Sequence, residues 1–106
     1  MKFTRLLPRF TNLLSTIIAS GQATIASTGT AVQLPSNALN TGVVISAKTG
    51  NAASIEIGGA GVTNTTDGTG NGYILAAGAS ISLAVQNTNL IYINGTSGDI
   101  VSFIGS

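Results

Sequence analysis

Three acids and four bases are the whole charged stock of this 106-residue chain: Glu56, Asp67 and Asp99, with Lys2, Arg5, Arg9 and Lys48. There is no His, no Cys and no Trp. General acid–base work, nucleophilic attack and metal ligation draw on His, Cys, Lys and paired carboxylates. None of the three acids has a second acid near it in sequence. Asp99 follows Thr96-Ser97-Gly98 and reads as a turn residue whose carboxylate accepts backbone N–H groups. Glu56 lies between Ile55 and Ile57, so strand alternation places it on a wet face as a solvated charge. Asp67 falls in the longest polar stretch, Thr63–Gly72; calcium wants about 6–8 oxygens, and one acid with several Asn and Thr is a thin set. The glycine clusters at Gly58, Gly59 and Gly61 and at Gly68, Gly70 and Gly72 lack the following helix that a phosphate loop needs, and read as turns and bulges. The expectation is a protein that is no enzyme, uses no metal or cofactor, takes no small-molecule substrate, and works through its surface.

The elements that would carry that surface follow from periodicity. In residues 1–20 the apolar positions Leu6, Leu7, Phe10, Leu13, Leu14, Ile17 and Ile18 recur at helical spacing, with Arg9, Thr11, Asn12, Ser15 and Thr16 between them. Pro8 suits the helix start and Gly21 its stop, giving an arm over residues 1–21. A cleaved signal peptide is the competing reading, with small residues at 19–23, but Asn12, Ser15 and Thr16 interrupt its apolar stretch. No run approaches the roughly 20 apolar residues of a membrane span. Leu6, Phe10, Leu13, Leu14, Ile17 and Ile18, with Arg5 and Arg9, are the candidate interface of this arm.

From Gln22 onward the period becomes two. Runs at 23–27, 30–34, 43–47, 54–57, 73–76, 80–85, 90–94 and 100–104 are short and rich in Ile, Val, Thr and Tyr. Ile81, Leu83 and Val85 share one face; Ile91 and Ile93 oppose Tyr92; Val101 and Phe103 oppose Ser102. Pro35 ends a strand, and Asn94-Gly95 is expected to close a hairpin between the last two runs. The expected fold is all-β: a small antiparallel β-sandwich, jelly-roll-like, of about eight short strands over residues 22–106, preceded by the helical arm.

Charge divides unevenly. Lys2, Arg5 and Arg9 give the first 20 residues +3, and the remainder is −2. Nucleic-acid binding typically recruits about 6–10 phosphate contacts, far more than four bases supply. A basic arm on a mildly acidic body suits docking to an acidic protein surface. With no cysteine, stability must come from packing and from assembly. Tyr73 and Tyr92, flanked by the 63–72 loop with Asp67, form an alternative contact patch of the glycan-binding kind. The sequons at Asn64 and Asn94 matter only in a eukaryotic secretory setting.

The strand pattern also carries a resemblance. Gly42-Val43-Val44-Ile45-Ser46-Ala47, Ser54-Ile55-Glu56-Ile57-Gly58-Gly59, the segment Gly72–Leu83, Leu90-Ile91-Tyr92-Ile93-Asn94-Gly95 and Gly98-Asp99-Ile100-Val101-Ser102-Phe103 resemble small virion proteins of tailed bacteriophages. These include capsid decoration (cement) proteins and fibre or tail components. The resemblance covers residues 30–106 and marks strands and turns rather than a site. One departure is Ala77, where such segments often have Pro before Gly. The resemblance implies a β-sandwich or jelly roll, commonly trimeric, with an N-terminal arm engaging the shell. It implies a place on the outer capsid surface, with the major capsid protein and sister copies as partners. A host-recognition module of a tail or fibre, binding glycans, is the alternative.

Overall fold

The computed structural model describes residues 14–64 and 69–106. Among the described residues there are eight strands: β1 Ala19–Thr24, β2 Val32–Gln33, β3 Val43–Ala47, β4 Ile55–Gly58, β5 Tyr73–Leu75, β6 Ser80–Leu83, β7 Tyr92–Asn94 and β8 Ile100–Gly105. They form two antiparallel four-stranded sheets, β1-β8-β3-β6 (sheet A) and β2-β7-β4-β5 (sheet B). The pairs β1–β8, β2–β7, β3–β6 and β4–β5 are all made. Such nested pairing, first strand with last and inward to the middle, is the winding of a jelly roll.

Alternation builds the core. Inward residues of sheet A (Val43, Ile45, Ala47, Val101, Phe103) meet those of sheet B (Ile55, Ile57, Leu75, Ile93), and all are buried, with Ile25, Leu34 and Leu39 closing the margins. Each large aliphatic side chain so withdrawn stabilises by about 1.5–3 kcal/mol.

Two local expectations change. Residues 19–21 are strand, not the end of a helix: β1 pairs with β8 over six residues, from Ala19 opposite Gly105 to Thr24 opposite Ile100. A waiting row of β8 backbone partners overrides the local helical period. Small inward residues make the fit. A Cβ on Gly21 would stand 2.9 Å from Cζ of Phe103, so Gly21 admits the Phe103 ring rather than stopping a helix. Residues 14–18 of the expected helix are irregular, and residues 1–13 lie outside the described residues. The second change is at Asn94–Ile100. β7 belongs to sheet B and β8 to sheet A, so this segment crosses between sheets and is no hairpin.

Loops are lashed by side chains. Both oxygens of buried Asp99 accept main-chain N–H groups, from Ala52 (2.8 Å) and Ala53 (3.0 Å), as a turn carboxylate should. Asn51 donates to Ile100 O and accepts from Ile100 N, both at 2.9 Å, extending the ladder beside β8. At the opposite end Asn87 Oδ1 accepts from Asn37 N and Asn89 N, each at 3.0 Å. Thr88 donates to Pro35 O in the same cluster.

Candidate interaction surface

The outer face of sheet A is set by register. Ser20, Ile104, Val44 and Ser82 form one transverse row; Gln22, Ser102, Ser46 and Ser80 form the next. The second row is polar, and Ser46 and Ser80 share a 2.6 Å hydrogen bond across β3 and β6. The first row is apolar at its centre. Ile104 is 53% exposed and Val44 40%, and Ile18, just before β1, is 77% exposed. These three, with Thr41, Leu83 and Ala84, line a groove of about 560 Å³ at that end of the sheet. Its floor is firm: Ser106 O accepts from the N–H groups of Asn40, Thr41 and Gly42, and Thr41 Oγ1 also bonds to Ser106.

The chain enters this groove from the expected arm. Leu14, Ile17 and Ile18 are all exposed large hydrophobics, and residues 14–18 are irregular rather than helical. Ser15 Oγ accepts from Ile17 N (3.2 Å) and from Asn40 Nδ2 (3.4 Å), tying this stretch to the rim of the groove. Leu6, Phe10, Leu13, Arg5 and Arg9 lie outside the described residues. Of the arm's expected contact residues, Ile18 lines the groove, together with Val44 and Ile104, which were not singled out beforehand, while Leu14 and Ile17 precede it in the chain and are exposed. The signal for those two was present as unbroken apolar runs, Val43-Val44-Ile45 and Phe103-Ile104, where a one-sided strand would alternate.

Sheet B offers no aromatic platform. Tyr92 stands opposite Gly58 and Tyr73 opposite Ile57, one step apart in β4, so the tyrosines project from opposite faces. Tyr73 is exposed at the β5 edge, while Tyr92 is half-buried. Asp67 lies outside the described residues. The patch expected from these three is not assembled by Tyr73 and Tyr92.

Glu56 departs furthest from its sequence reading. It does face away from the core, yet it is only 3% exposed, because Val62, Gly70 and Gly72 of the β4–β5 connection fold over it. Alternation assigned the face correctly; a covering loop made that face dry. Lys48 is exposed. Among the described residues no three of His, Cys, Asp and Glu gather as a metal cluster, and no helix is long and apolar enough to cross a membrane.

No protein-family model and no curated protein matches this chain. A solved chain from Bacillus endospore appendages, described as forming a novel family of disulfide-linked pili, is similar over 88% of this chain and 96% of its own, at 18% identity and a TM-score of 0.36.

Proposed function

We propose that this protein is a structural virion component, a capsid decoration (cement) protein that binds the outer shell of a tailed phage and its own sister copies, as a trimer, through the groove end of sheet A and the arm leading into it. The observation that carries this reading is the apolar strip Ile18–Ile104–Val44. It is open to solvent, built on a hydrogen-bonded sheet, and preceded in the chain by the exposed Leu14 and Ile17. Contiguous exposed apolar surface rimmed by polar residues is costly in isolation and favours burial against a partner. Around it the chain supplies little else: Asp99 is spent on two backbone amides and Glu56 is buried. The jelly-roll winding is one that viral capsid proteins use, and the strand-and-turn resemblance points the same way.

Mechanically, contact area gained across capsomer joints opposes separation of the shell. Lys2, Arg5 and Arg9 would steer the arm toward acidic capsid patches, an effect that salt weakens. The test is co-sedimentation with cognate capsids stripped of the protein. The intact chain should saturate them, and a chain lacking residues 1–18, which leaves β1 whole, should not. Equal occupancy by the shortened chain defeats the proposal.

A further inference from the structure

Beneath the β4–β5 connection lie two buried oxygens without a donor: Glu56 Oε1 and Asn94 Oδ1. They come from residues directly opposite each other in β4 and β7, on the same face of sheet B. Directly opposed side chains stand about 5 Å apart at Cβ. Both residues are almost fully enclosed, Glu56 at 3% and Asn94 at 1% exposure.

The orientation of Asn94 is fixed by its other end. Nδ2 donates to Gly29 O (3.2 Å) and to Val62 O (3.1 Å), so Oδ1 is the oxygen turned toward unsatisfied space. The carboxylate is held equally firmly. A Cβ on Gly72 would lie 3.1 Å from Oε1, and one on Gly70 would lie 2.2 Å from Oε2 and 2.8 Å from Thr63 O. Glycine at both positions opens the space the carboxylate fills, and brings a main-chain carbonyl alongside it. Four oxygens from three segments thus lie on this face of sheet B, and two of them, Glu56 Oε1 and Asn94 Oδ1, have no donor.

A carboxylate oxygen left without a donor out of water is strongly disfavoured, and an orphaned amide oxygen on the facing strand compounds the cost. A hard cation relieves both at once. We propose that Glu56 Oε1 and Oε2, Asn94 Oδ1 and the Thr63 carbonyl hold a calcium ion that pins the β4–β5 connection to sheet B. The donor set is all oxygen, as calcium requires, with water completing the 6–8 ligands. A single carboxylate implies weak binding, with a dissociation constant on the order of 10⁻⁴–10⁻³ M. The site is remote from the groove on sheet A and independent of it.

The experiment is thermal unfolding of the full chain after EDTA treatment and its removal, with 10 mM calcium, 10 mM magnesium or neither. Calcium should raise Tm by about 5–20 °C. Magnesium, which demands tighter octahedral geometry, should raise it far less. E56Q should lose the calcium response, and its metal-free Tm should exceed that of the metal-free wild type, because the new amide can donate to Asn94 Oδ1. As a second variant, E56D, which keeps the charge but draws the carboxylate back toward β4, should need at least tenfold more calcium for half of its Tm rise. The proposal is overturned by a wild-type Tm indifferent to calcium, by an equal response to magnesium, by a calcium response retained in E56Q, or by an unchanged calcium requirement in E56D.

Discussion

Replacing Ile18, Val44 and Ile104 together with serine removes the apolar strip while leaving the core untouched. Full withdrawal of a large aliphatic side chain from water is worth about 1.5–3 kcal/mol. Weighted by the fraction of each side chain still exposed, the three have about 2.5–5 kcal/mol left to contribute to an interface. At about 1.4 kcal/mol per decade, their loss should weaken association with a partner by roughly 10²- to 10⁴-fold. Folding should change far less, because none of the three belongs to the buried cluster and surface substitutions generally stay near 0.5 kcal/mol each. The assay pairs sedimentation velocity over a concentration series with urea unfolding of the same samples. A variant that keeps its urea midpoint but dissociates at concentrations where the parent chain is assembled supports the account. A variant that self-associates and coats capsids like the parent refutes the reasoning, since the strip would then carry no contact.

Other outcomes follow from the scaffold. D99A strips two charge-assisted bonds from Ala52 N and Ala53 N and should cost about 3 kcal/mol, read as a Tm fall of about 15 °C; a fall below about 3 °C would contradict the role given to that carboxylate. G21V drives a side chain into the Phe103 ring and should destabilise by about 1–3 kcal/mol in chemical denaturation. A77P should stabilise by about 0.4–1 kcal/mol: Ala79 N bonds to Ala76 O, Gly78 has φ +86°, and Ala77 occupies the corner of that turn where proline is preferred.

Most of this architecture is visible in residue order. The run Val43–Ala47 is a strand with the same limits that its composition suggests, and Ile81 and Leu83 face inward as their alternation requires. What escaped reading is non-local. Residues 19–21 have a helical apolar period, but β8 offers them a ladder whose existence depends on the chain's far end. Glu56 alternates out of the core as expected, yet its dryness depends on a connection folding back over it. Asn94-Gly95 has good turn chemistry, and nothing local says that the strands on either side join different sheets. The contact face was half legible: Leu14, Ile17 and Ile18 stood out by spacing, whereas Val44 and Ile104 gained meaning only when register set them side by side.

Adhesion through the groove end of sheet A should show itself in the mass of the intact chain in solution. Light scattering across a concentration series should show the species growing from the 10.5 kDa chain toward a trimer. A mass that stays at one chain throughout, joined with no retention on stripped capsids, would contradict it.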